Sequence, residues 1–136
     1  MTISSLIVVR HGRTAYNEQG LLQGRTDNPL DDVGREQADR VARYLKSTIG
    51  SAPMIISSPL VRARETAEAV ARSVGASIEI DDRWIELDYG MYEGVPHTDV
   101  LADIWAKWRR DPGYAPDGGE SLAAVYDRVA GACEEL

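Results

Sequence analysis

The feature that most constrains this chain is an alternation of short apolar runs with longer amphipathic segments. Leu6-Ile7-Val8-Val9 is a continuous, β-branched-rich run, the pattern of a strand buried on both faces. A polar, glycine-containing stretch follows as far as Pro29 and reads as loop. Ala38, Val41, Ala42 and Leu45 then fall at helical spacing, with Asp31 or Asp32 as the N-cap and Gly50 past the end. Met54-Ile55-Ile56 predicts a second strand. Ser58-Pro59 opens a helix carrying Leu60, Ala63, Ala67, Val70 and Val74, closed by Gly75. Ile78 and Ile80 alternate as a third strand. Residues 84–97 and 111–120 read as loops, punctuated by glycine and proline. Between them Thr98 caps a helix with Leu101, Ile104, Trp105 and Trp108 on one face. A last helix from about Ser121 carries Leu122, Val125, Val129, Ala132 and Leu136.

The order β-α-β-α-β-α-α predicts an α/β fold, three layers α/β/α around a mostly parallel sheet with right-handed crossovers. Three strands are few for this class, where about four to six is usual. The final helix reaches Leu136 with no C-cap signal. Residues 1–136 are therefore expected to be a single domain, truncated at its C-terminal side. At 136 residues the chain is one domain's length, and a domain of this size buries about two-thirds of its unfolded surface.

Charge and cysteine content narrow the function classes. With 22 acids against 15 bases the net charge is −7, which argues against a nucleic-acid partner or an anionic membrane surface. No apolar run approaches a membrane span, and no signal peptide is visible. The single cysteine, Cys133, cannot form an internal disulfide and is expected to be a buried, inert thiol, which favours a reducing, cytoplasmic setting. Of the 15 bases only Lys46 and Lys107 are lysines. Arginine forks suit oxyanions such as phosphate, so their positions matter.

In open α/β sheets ligands bind beyond the carboxyl ends of the strands. Arg10-His11-Gly12 directly follows the first strand, presenting an imidazole and a guanidinium there, with Gly12 giving backbone room. Arg62 stands early in the helix after the second strand. Helical side chains lean toward the N-terminus, so Arg62 reaches back toward His11. The same helix end is expected to add free N–H groups and a positive dipole. Two arginines, a histidine and a helix N-terminus in one crevice describe a phosphate site.

The segments Val8-Val9-Arg10-His11-Gly12 with Thr14 and Asn17, Gly24-Arg25-Thr26-Asp27-Asn28-Pro29-Leu30, and Ser57-Ser58-Pro59-Leu60-Val61-Arg62-Ala63 with Thr66-Ala67 follow one another along the chain. So do Glu86-Leu87-Asp88-Tyr89-Gly90 with Glu93-Gly94, and Gly118-Gly119-Glu120-Ser121. Together they closely resemble the histidine phosphatase superfamily, the phosphoglycerate mutase-like proteins. The resemblance implies that His11 is the nucleophile that becomes phosphohistidine, that Arg10 and Arg62 cradle the phosphoryl group, and that Glu86 protonates the leaving alkoxide. Asn17, Gly12 and Tyr89 are further expected substrate-binding residues. Neutral imidazole is a nucleophile at neutral pH without a metal, and arginine forks supply charge to the equatorial oxygens. No cofactor is implied, and no His/Cys/Asp spacing resembles a metal site.

Three features depart from the family pattern. Its second active-site histidine is absent: the only other histidine, His97, sits in Val95-Pro96-His97-Thr98 and reads as a loop or helix-cap residue. The family's final strands are missing, and Arg13 stands where Glu or Gln is usual. The leading expectation is a metal-independent phosphatase of small phosphorylated metabolites. A phosphoglycerate mutase is the alternative, and a non-catalytic phosphoester-binding module a further one. The compact stretch 89–117 is more like the phosphatase branch, whereas Trp108-Arg109-Arg110 resembles the mutases. A homodimer is compatible with these readings.

Overall fold

A computed structural model describes residues 5–49 and 53–136. Its centre is a pair of short parallel strands, β1 (Ile55–Ser57) and β2 (Ile78–Ile80), joined through helix α3 (Val61–Val74). Ile55 pairs with Ile78, Ile56 with Glu79 and Ser57 with Ile80. This is the β-α-β crossover that the apolar runs predict, and it places the carboxyl ends of both strands on one side.

Helix α2 (Asp32–Thr48) packs along α3. Their facing small residues, Ala38, Ala42 and Ala69, let the two backbones approach, and Leu30, Leu45 and Val70 complete the buried core with Ile55 against it. Asp31 caps α2 by accepting from the Gly34 N–H at 2.7 Å. Gly50, the expected end signal, lies outside the described residues. Helix α3 ends as expected, at Gly75 in the left-handed conformation (φ 71°).

Helices α4 (Ala102–Arg110) and α5 (Leu122–Glu134) match the last two periodic segments. Ser121 caps α5, accepting from Ala124 N–H at 3.1 Å. Thr98 does not cap α4: Leu101 occupies the N-cap and makes no side-chain bond. Around Trp108 the aromatic rings of Tyr89, Tyr92, Trp105 and Tyr114 pack with centroids 5.4–5.8 Å away, a second small core.

Three further expectations need correction. The run at 6–9 forms no ladder: Leu6, Ile7 and Val8 are 62%, 53% and 84% exposed. A strand buried on both faces needs a hydrogen-bonded neighbour and cover on each face, and the described residues supply neither. The stretch before Pro29 is not all loop, because helix α1 (Ala15–Gln19) stands in it. Thr14 and Asn17 close a capping box at its start and Gly20 turns the chain at its end (φ 68°). Cys133 is exposed rather than buried.

Candidate active site

His11 ends the extended N-terminal segment and is held by a local bond. Its Nδ1 lies 2.6 Å from the carbonyl oxygen of Gly12. A carbonyl can only accept, so Nδ1 carries the proton and Nε2 keeps its lone pair. Burial pushes the imidazole pKa below its ordinary value of 6.5, and the charges of Arg62 and Arg10 push the same way. The Gly12 bond and Glu86 oppose them without reversing the sign. The ring is therefore neutral at pH 7, with a free nitrogen.

A cleft of about 270 Å³ opens beside it, lined by Arg10, His11, Arg13, Asn17 and Gln37. Asn17 shows how secondary structure orients a site residue. Its Oδ1 accepts from the Thr14 amide at 3.0 Å in the capping box, which turns the Nδ2 amino group away from the helix cap. Arg13 lines the cleft, but its Nε is tied to Asp31 at 2.7 Å and its Nη1 stands 3.5 Å from Glu18. Gln37 accepts from the Arg13 backbone N–H at 2.9 Å. No motif marks Gln37 in the sequence; it reads there as one more solvated position of α2.

Arg62 is reached from the other direction. It is 2% exposed, and its guanidinium donates to the Thr26 carbonyl (3.0 Å) and the Gly24 carbonyl (2.6 Å). That loop is fixed in turn by Glu93, which accepts from the Arg25 N–H (2.7 Å) and the Thr26 hydroxyl (2.6 Å). Desolvation lowers the Arg62 pKa, and the nearby Glu86, Asp27 and Glu93 charges favour its cationic form. An arginine remains charged under such a shift. Arg64, two residues on, is exposed and points elsewhere.

Glu86 is exposed, and its Oε1 accepts from the Leu87 N–H at 2.8 Å. It does not line the cleft, yet its charge acts on both His11 and Arg62. Tyr89 packs edge-on against Trp108, with its phenol pKa raised by burial and by Glu86. The structure thus gathers Arg10, His11 and Asn17 in one cleft; Arg62 and Glu86 are not in its lining, and their charges act on the imidazole with opposite sign.

Other expected contributors are engaged elsewhere. The Gly12 N–H donates to Thr66 Oγ1 at 3.1 Å, and a side chain at Gly12 would run into the Gly34 carbonyl. Gly12 thus lets the backbone of α2 approach closely. The α3 N-terminus is not a free anion seat, because Asp27 accepts the Val61 N–H at 2.7 Å. His97 bonds the Gly20 carbonyl through Nδ1 at 2.8 Å and lies outside the cleft lining. Among the described residues no group of three or more His, Cys, Asp or Glu is arranged to hold a metal.

With this geometry in place, comparison with known proteins is decisive for the family. Residues 6–136 match the model of the histidine phosphatase superfamily, branch 1. The chain belongs to the histidine phosphatase superfamily. A glucosyl-3-phosphoglycerate phosphatase of Mycolicibacterium vanbaalenii is 38% identical over 139 residues, spanning 100% of this chain and 61% of that relative. A probable phosphoglycerate mutase of Citrobacter koseri is 40% identical over 138 residues, spanning 95% of this chain and 62% of its own length. Among solved structures, a mycobacterial glucosyl-3-phosphoglycerate phosphatase complexed with VO3 superposes with a TM-score of 0.84 at 35% identity, covering 93% of this chain and 61% of that one. The fold is therefore that of the histidine phosphatases, and this chain spans about three-fifths of the length of these histidine phosphatase relatives. No helix among the described residues is long and apolar enough to cross a membrane.

Proposed function

We propose that this histidine phosphatase hydrolyses small phosphomonoesters, without a metal, through a phosphohistidine on His11. The observation that carries the reading is the His11–Gly12 bond, which leaves Nε2 unprotonated on a histidine that lines the cleft with Arg10. Nε2 attacks phosphorus and the ester P–O bond breaks toward the leaving oxygen. Glu86 gives that oxygen its proton. Water then attacks the phosphohistidine, Glu86 recovers a proton from it, and inorganic phosphate leaves. Arg10, Arg62 and the Asn17 amide hold the equatorial oxygens, where preorganised charge contributes most.

The relatives named as probable phosphoglycerate mutases support a second reading, in which a substrate hydroxyl replaces water in the second step. Both readings share the covalent step. Mixing full-length protein with phosphomonoester, quenching without acid and mapping the modified peptide is expected to place the phosphoryl group on His11. Label on Ser57, Ser58 or Cys133, with none on His11, overturns the mechanism. No label from any phosphomonoester would leave a phosphoester-binding module instead.

A further inference from the structure

Glu86 follows β2 through one 3-10 turn (Asp82–Trp84), stands itself outside any helix or strand, and is exposed. No ladder holds its backbone. Its carbonyl oxygen is instead met by two guanidiniums: Arg25 Nε and Arg128 Nη2 each stand 3.4 Å away. These arrive from opposite ends of the chain, Arg25 from the loop after α1 and Arg128 from α5.

A single carboxylate ties them together. Glu120 accepts from Arg128 through both oxygens, Oε1 to Nε and Oε2 to Nη2, each at 2.9 Å. Its Oε2 also accepts from Arg25 Nη2 at 3.3 Å. Arg128 Nη1 donates to the Arg83 carbonyl at 2.6 Å, so one guanidinium spans both ends of the 83–86 segment. The Glu120 N–H donates to the Asp88 carbonyl at 2.9 Å, closing the ring from the far side of Glu86. A bidentate fork of this kind fixes orientation as well as distance. The Glu120 side chain is 15% exposed and that of Arg128 17%, which shields the pair from solvent.

We propose that Glu120 is a positioning residue for the proton donor: through Arg128 and Arg25 it holds the Glu86 backbone at the distance from which the carboxyl reaches the leaving oxygen. The proposal rests on the reading of Glu86 as general acid. The Arg128 bond holds Glu120 below the usual carboxylate range, so it is ionised at neutral pH. That charge keeps the two guanidiniums where they meet the Glu86 carbonyl.

The test compares alkyl and nitrophenyl phosphates in the full-length protein. Glu120→Gln is expected to slow the alkyl ester by about 10²-fold, the scale of an ångström-sized misplacement, and the nitrophenyl ester much less. Arg128→Lys keeps the charge and loses the fork, so it should show the same leaving-group selectivity. It also serves if Glu120→Gln fails to fold. Folded variants that slow both esters equally, or neither, overturn the proposal. Glu86→Gln run alongside separates the two failures: if it is selective and the clamp variants are not, only the positioning role falls.

Discussion

Arg62 and Glu86 act on the same imidazole and are held in opposite ways. Arg62 is sealed inside the protein, with its guanidinium pinned to two carbonyls of a loop that Glu93 fixes. Glu86 is exposed, with one carboxylate oxygen bonded to the next amide, and it is steadied through its backbone by Arg25 and Arg128. The difference matches what each is asked to do in the proposed reaction. A charge that stabilises a transition state acts best when it need not reorganise, so it gains from burial and rigid partners. A proton donor must reload between turnovers, so it needs contact with water while its distance to the leaving oxygen is kept.

The contrast breaks if the two residues respond alike to a change of leaving group. Glu86→Gln keeps size and removes the transferable proton. Alkyl phosphate cleavage is expected to fall by about 10²–10⁴, and nitrophenyl phosphate, whose phenolate needs little protonation, to fall much less. Equal loss on both would mean that Glu86 acts through binding or structure. Arg62→Ala should instead cut kcat by about 10²–10³ whichever group leaves, since it acts on the phosphoryl oxygens. It should also lower the unfolding midpoint in urea, because the Gly24 and Thr26 carbonyls lose their donor, each at about 1–3 kcal/mol. A variant with normal stability and normal kcat would show that Arg62 faces away from the chemistry. The smallest effect concerns pH. The nucleophile must be deprotonated, and His11 titrates below 6.5 in the folded chain. The acid limb of kcat/KM is therefore expected to have its midpoint below 6.5 and to fall about tenfold per pH unit beyond it. A midpoint above 6.5 would mean that Glu86, rather than burial and the arginines, dominates the imidazole.

How far this site could be read from the chain alone varied by residue. Arg10, His11 and Asn17 lie within eight positions of one another, and they share a cleft. Arg62 was expected to reach the site, but not that two backbone carbonyls would hold its guanidinium, since carbonyls leave no mark in a sequence. The packing at Gly12 leaves no mark for the same reason: a glycine next to a histidine suggests backbone room, and the Gly34 backbone, 22 positions away in α2, packs against it. Gln37 enters the cleft only because that close approach brings α2 against residues 11–13. Helix α1 was legible in principle: Thr14 and Gly20 bracket it, and the capping-box residue at its third position is Asn rather than the usual Glu or Gln.

By itself the sequence determined the periodic elements, because their signals are local. Ala38, Ala42 and Leu45 recur at the helical repeat; Asp31 and Ser121 cap where they stand; Gly75 turns the chain where no side chain is comfortable. It also determined the family, through motifs spread along its length. Tertiary structure alone decided what each motif residue touches. The run Leu6-Ile7-Val8-Val9 carries the composition of a buried strand, yet burial belongs to the neighbours that cover a segment and not to the segment. Glu120 stands in a family motif and Arg128 in none, and nothing in the sequence pairs either with Glu86 until folding brings them beside it. Hydrogen bonds act over about three ångströms, a distance on which separations of tens of residues have no meaning until the chain has folded.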